Sequence, residues 1–369
     1  MAIQETVIEQ TGAGTPSVET FDTIIIGGGQ AGLSIGYHLK RRGGSFVILD
    51  ANEQIGGSWR TRTWDSLRLF TPARFDGLPG WPFPAPGWSY PTARETADYL
   101  EAYATRFELP VRTGLRVDRL TKEGERFVLL CGERRFEAAQ VVVATGFYGI
   151  PSVPGFAAEL ASGIVQMHSS EYRDPSQLRP GGVLLVGAGN SGADIAIEAS
   201  KTHRTWLSGR DKGQVPFRIE TRLARFVLPI LWLVASRILT VKTPLGRRVQ
   251  PHVLTSGAPR IRVKAHDLEA AGVEQVPRTV AIAEGLPVLE DGRVLDVANV
   301  IWCTGFRQDF SWIDVPVFGE DQQLQHERGV TSEPGLYFLG LDFLYAFTSE
   351  NVGGVGRDAR YIAKRINSR

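Results

Sequence analysis

Cysteine is almost missing from this chain. Its 369 residues include only Cys131 and Cys303, far apart and with no Cys-x-x-Cys, so a disulfide scaffold, a zinc site and a dithiol redox centre all lack their usual residues. The six histidines show no metal-ligand spacing, and no metal is expected. Long apolar runs are missing too. The most apolar stretch, Phe226 to Val241, is interrupted by Pro229 and Arg237. Its unbroken part falls well short of the ~20 residues a spanning helix needs. Met1 to Glu19 has no signal-peptide pattern, so residues 1–20 read as a flexible tail and the expected location is cytoplasmic. Net charge is scarce as well: +1 overall gives no reason to expect nucleic acid as a partner.

What charge there is lies unevenly. Lys201 to Lys264 holds fourteen Lys or Arg against two acids, Asp211 and Glu220. Such a basic region points to a local anionic partner, either a cofactor phosphate or a membrane surface, or else to a solvated basic face. The length suits two domains of ordinary size.

Glycine is plentiful, and its placement is informative. FDTIIIGGGQAGLSIGYHL runs from a buried-strand pattern into Gly27-x-Gly29-x-x-Gly32 and then into a helical pattern. Gly27 permits the tight turn, Gly29 lets backbone approach a pyrophosphate, and Gly32 lets helix and strand pack closely. The helix N-terminus offers free N–H groups to phosphate. A second strand, SFVILD, ends in Asp50, 23 residues beyond Gly27, where an acid can bind the ribose hydroxyls of an adenosine.

The chain then repeats the pattern. GGVLLVGAGNSGADIA supplies a strand, Gly187-x-Gly189-x-x-Gly192 and a helix, and 23 residues beyond Gly187 stands Arg210. An acid repels a 2′-phosphate, whereas an arginine binds one through forked, charge-assisted hydrogen bonds. Ser208 adds a hydroxyl. The first turn therefore reads as an FAD site and the second as an NADPH site, which implies electron transfer between the two. Asn190 and Ser191 are candidate contacts to the pyrophosphate or nicotinamide ribose.

The fold expected is α/β, with two Rossmann-like domains and a discontinuous FAD domain, 21–150 and 300–369, around an NADPH domain, 151–299. A helix is predicted from Thr92, with Thr92 and Glu95 as a capping box and Tyr99, Leu100 and Tyr103 on its apolar face. VVVATGF (Val141 to Phe147) and VANVIWCTGF (Val297 to Phe306) repeat a strand-Thr-Gly-Phe pattern at the two crossovers, reading as paired hinges that bring Thr145-Gly146 and Thr304-Gly305 near a ligand. Gly340 follows the strand GLYFL, and a last helix is expected to open at about Gly353, aimed at the flavin. The 218–264 insert is read as a lid, a membrane-lying helix (226–241) or a homodimer contact. No Gly-x-Ser-x-Gly elbow is present, since Ala193 stands two residues after Ser191 where the motif needs glycine, and hydrolysis has no support.

These residues, with Gly57-x-Trp59, Gly335-Leu336-Tyr337 and HSSEYRDP (His168 to Pro175), resemble the class B flavoprotein monooxygenases, a family that includes plant YUCCA-type and bacterial CzcO-like proteins. The resemblance covers Phe21 to the end. It implies that NADPH reduces FAD and that one atom of O2 passes through a flavin C4a-(hydro)peroxide to a small organic substrate. Trp59, Arg60 and Thr71 become flavin-proximal candidates. His168 and Tyr172 take the last fixed positions of the family's linker signature, and His168 reads as structural. The chain departs from the family at Gly163, displaced by one position in that signature. It also has Thr71 in the region where some members place an asparagine. Two other readings stay open: an NADPH-driven reductase or oxidase using a quinone, protein or O2, and a cofactor-holding redox sensor without turnover.

Overall fold

The computed structural model describes residues 18–146, 149–256 and 259–366. Phe147, the end of the first hinge pattern, lies outside them. The expected tail is shorter at its C-terminal end, because Val18, Glu19 and Thr20 already pair with Arg135, Phe136 and Glu137 in a sheet.

Two sheets share one plan in their parallel cores, the first being extended by antiparallel strands such as Arg126–Cys131 beside Arg134–Val143. In the first, strand Val18–Ile26 lies between Phe46–Leu49 and Arg134–Val143, with Val111–Arg112 and Leu336–Phe338 outside those two. In the second, Val183–Val186 lies between Thr205–Ser208 and Asn299–Trp302, with Glu274–Val276 and Val165–His168 outside. The central strands are buried from Thr23 to Ile26 and from Val183 to Val186, as continuous apolar runs must be when helices cover both faces of a parallel sheet. The α/β class with two dinucleotide-type domains is thus the observed architecture.

The domain boundary needs one correction. Asn299–Trp302 pairs inside the second sheet, so the return to the first domain falls after Trp302 and not at residue 300. The two hinges lie side by side: Phe306–Arg307 pairs antiparallel with Ile150–Pro151, and Ser152 N–H donates to Gly305 O at 2.9 Å.

Helix Ala93–Arg106 carries the predicted capping box, with Glu95 N–H donating to Thr92 Oγ1 at 3.1 Å and Thr92 N–H to Glu95 Oε2 at 2.7 Å. Tyr99, Leu100 and Tyr103 are buried against the first domain. Thr92→Ala is expected to lower stability by about 1 kcal/mol in chemical denaturation; an unchanged midpoint would mean the cap contributes nothing. The last helix starts at Gly356 rather than Gly353, because residues 352–355 form turns before it.

Candidate dinucleotide-binding sites

The first cradle follows from three glycines with three different roles. Gly27 has φ +109°, and a Cβ there would come within 2.6 Å of Ala144 O. A Cβ on Gly32 would lie 1.9 Å from Gly27 O. Gly29 differs: its φ of −78° and ψ of −169° suit any residue, and nothing lies within 4 Å of a Cβ built there. That open space faces the start of helix Gln30–Lys40, which no side chain caps. Uncapped N–H groups beside a cavity left by a glycine suit a pyrophosphate. Asp50 closes the far side. Its buried carboxylate accepts from Gly28 N–H at 2.7 Å, and from the N–H and Nδ2 of Asn52 at 2.8 and 2.7 Å. A carboxylate has about four acceptor sites, so capacity remains for a ribose.

The second cradle repeats this construction. Gly187 has φ +115° and would meet Cys303 O at 2.2 Å, Gly192 would meet Gly187 O at 2.0 Å, and Gly189 is open. Helix Asn190–Ala199 has no side-chain cap from Gly189. The strand register corrects the residue count, however. Gly27 N–H donates to Leu49 O, and Gly187 N–H to Ser208 O; Ile26 pairs with Leu49, and Val186 with Ser208. The counterpart of Asp50 is therefore Gly209, and exposed Arg210 lies one residue further on. Gly209 has φ +153° and sits 2.7 Å from Ala188 N, measured from a Cβ built on it. The second cradle thus lacks the acid and has a cation next to the gap.

Three of the residues singled out from the sequence are engaged elsewhere. Ser208 is fully buried, and its hydroxyl donates to Pro277 O at 2.9 Å and accepts from Thr279 N–H at 2.8 Å. It ties strand Thr205–Ser208 to the segment 277–279. The Asn190 amide binds Pro259 O and Ile261 N–H, at 3.2 and 2.8 Å, and so fastens the insert's end to the second helix. Ser191, beside it in the first helical turn, is half-buried. Arg60 points at helix Ala93–Arg106, paired with Asp98 and Glu101 at 2.7 Å each. Trp59 packs half-buried against both domain cores.

Other candidates gather near the cradles. Gly146 and Gly305 have φ +73° and +81° with open space about them, at the turns following Ala144 and Cys303, which face Gly27 and Gly187. The Thr304 hydroxyl donates to Ser152 O, while Thr145 is exposed. Gly57 packs on Asn52, and Gly340 passes Ala31 with 2.8 Å to a built Cβ. Gly353 lets the chain cross Phe75, whose carbonyl would be 1.7 Å from its Cβ. His168 is buried with both ring nitrogens bonded, to Ser170 Oγ at 2.9 Å and Gly305 O at 3.0 Å. Burial lowers its pKa, and the arrangement is a structural one at the hinge.

Sequence reading missed three acids here. Asp76 is fully buried beside Gly353; Thr71 Oγ1 donates to its Oδ1 at 2.5 Å, and its Oδ2 has no partner. Burial pushes this carboxyl up to about 7. Asp342 and Glu350 lie together near Gln30, both raised by burial and Glu350 also by Asp342. Nothing in the sequence marks these positions, because each depends on segments far apart in the chain.

For Asp76 the raised folded pKa favours the neutral form, so its contribution is complete below about pH 4 and lost as pH rises through about 7. Relative to wild type, Asp76→Asn is expected to gain on the order of 2 kcal/mol more at about pH 8 than at about pH 5. Thermal unfolding at the two pH values measures this; a pH-independent difference would contradict it.

Comparison with known proteins places this geometry. The family described as pyridine nucleotide-disulphide oxidoreductase matches residues 24–227, which include both glycine turns. The chain is 40% identical over 347 residues to an uncharacterised CzcO-like oxidoreductase of Geobacillus kaustophilus, covering 94% of this chain and 98% of that one. It is 30% identical over 384 residues to YUCCA7 of Arabidopsis thaliana, named a probable indole-3-pyruvate monooxygenase, over 93% and 86% of the two chains. A flavin-containing monooxygenase from Stenotrophomonas maltophilia superposes with a TM-score of 0.77 at 30% identity, over 95% of this chain and 99% of that structure. The chain belongs to the class B flavin monooxygenase family. Like other class B flavin monooxygenases it is an oxidoreductase built on two dinucleotide-binding domains. The disulphide chemistry in the wider family's description has no matching residues here: Cys131 and Cys303 are both free, and burial pushes their thiols up to about 11 and about 12. No helix among the described residues is long and apolar enough to cross a membrane.

Proposed function

We propose that this protein is an NADPH-dependent monooxygenase that holds FAD in the first cradle and places one atom of O2 on a nitrogen, a sulfur or an activated carbon of a small organic molecule. One observation carries the reading: the same cradle occurs twice in one chain, with Asp50 closing the first and Gly209-Arg210 closing the second. When bound, the two cofactors supply the hydride transfer and the activation of oxygen.

The chain's own residues bind and orient. Gly29 and Gly189 leave backbone N–H groups open to the pyrophosphates, and the positive ends of helices Gln30–Lys40 and Asn190–Ala199 favour the phosphate charge. Asp50 accepts from the ribose of an unphosphorylated adenosine and repels a 2′-phosphate. Arg210 attracts one, and glycine at 209 leaves the room. Asp76 holds a proton at Oδ2 up to about neutral pH and fixes Thr71 through Oδ1. Trp59, wedged between the two cores, keeps water out of their junction.

The experiment supplies ¹⁸O2, NADPH and a panel of thioethers, tertiary amines and 2-oxo acids, with mass spectrometry of the products. One labelled oxygen per product and one NADPH consumed per product are expected. NADPH consumption whose electrons all appear in peroxide, or in an added quinone, would replace the monooxygenase reading with an oxidase or a reductase.

A further inference from the structure

The described residues expose fourteen large hydrophobic side chains, and eight of them lie between Leu223 and Leu254. Four fall on one face of helix Ala224–Leu233 and the residue preceding it: Leu223, Phe226, Ile230 and Leu233, exposed by 62%, 74%, 62% and 52%. An amphipathic helix in a soluble protein turns such a stripe inward. Here the opposite side is anchored. Trp232 stacks on Phe75 with centroids 5.1 Å apart, Val241 N–H donates to Tyr345 O and Phe347 N–H to Leu239 O, and Arg357 donates to Ser236 O. The insert leaves the second domain and is fastened on the first, directly over Phe75 and its neighbour Asp76, with its apolar stripe outward.

Charge selects the occupant. From residue 221 to 259 the sequence has no Asp or Glu, and it carries Arg222, Arg225, Arg237, Lys242, Arg247 and Arg248. A second copy seated here about a two-fold axis would set this cationic face against itself. An anionic lipid surface matches both features, since headgroups attract the cations at about 1 kcal/mol each and the acyl boundary takes the apolar side chains.

We infer that the 222–254 face docks the protein on an anionic membrane surface, and that lipophilic substrates dissolved in the bilayer enter the protein on the side of Phe75 and Trp232. The second half rests on the monooxygenase reading; the docking itself does not.

The test mixes the flavin-loaded, full-length protein with vesicles of phosphatidylcholine alone and of phosphatidylcholine with phosphatidylglycerol, and sediments them. Partition into the anionic vesicles is expected to exceed that into the neutral ones and to fall with added salt. The double variant Phe226→Ser, Ile230→Ser is expected to lose partition by about tenfold or more while keeping its NADPH oxidation in lipid-free buffer. Failure to bind either vesicle, or equal binding by wild type and variant, would overturn the docking. Dimers that the double variant abolishes, with no vesicle binding, would assign the face to a second copy instead. Vesicle binding without faster turnover of bilayer-dissolved thioethers than of water-soluble ones would overturn the substrate route alone.

Discussion

Gly29→Val is expected to give a folded protein that purifies without its flavin. The backbone at Gly29 is extended, φ −78° and ψ −169°, a conformation that valine accepts readily. No atom lies within 4 Å of the new Cβ, so the fold has no reason to object. What the side chain fills is the space before the uncapped helix N-terminus, where a pyrophosphate must come close to the backbone. Gly32→Val provides the contrast: its Cβ would collide with Gly27 O at 1.9 Å, which should prevent folding. In the second cradle, Gly189→Val should leave the protein yellow but unable to accept electrons from NADPH, since Gly189 is open in the same way. Visible absorbance and circular dichroism of the purified variants decide the matter. A Gly29→Val protein carrying a full complement of flavin would show that the first cradle does not hold it.

Arg210→Ala is expected to erase the preference for NADPH over NADH. The structural counterpart of Asp50 is Gly209, so no carboxylate opposes a 2′-phosphate, and the exposed Arg210 follows at once. A lost hydrogen bond to a charged group costs about 1.5–3 kcal/mol, roughly 10- to 150-fold in affinity. The KM for NADPH should rise by about that factor, while the KM for NADH changes little. Equal effects on both would remove the assignment of Arg210. Gly209→Asp is the complementary change, expected to favour NADH, although φ +153° at that position adds strain to be controlled by thermal unfolding.

Much of the fold was legible because its decisive signals are local. Each glycine turn, with the strand before it and the helix after it, forms one continuous stretch of chain, and the Thr92–Glu95 capping box lies within a single helical turn. Several candidate side chains have protein partners that come from far away. Ser208 is held by Pro277 and Thr279, from beyond the insert, and Asn190 by Pro259 and Ile261, at the insert's end. Arg60 is drawn off by Asp98 and Glu101, which belong to the next long helix. The one-residue offset at Arg210 has a different origin. Strand Thr205–Ser208 meets its neighbour one position earlier than Phe46–Leu49 does, and a fixed count from the glycine turn cannot register that. Asn299–Trp302 reads as apolar whichever sheet it joins, so its membership in the second sheet was hidden. Asp76 gave no signal at all, because its burial depends on Gly353 crossing above it.

The central claim is that two cradles in one chain hold two nucleotides on a single electron path. Its most direct measurement is anaerobic mixing of the purified protein with NADPH, followed by the visible absorbance of bound flavin. The account requires one flavin per chain, bleached by NADPH and far more slowly by equal NADH, with the bleaching lost in Gly189→Val. A flavin that stays oxidised under NADPH, or that bleaches equally fast with Gly189→Val, would contradict it.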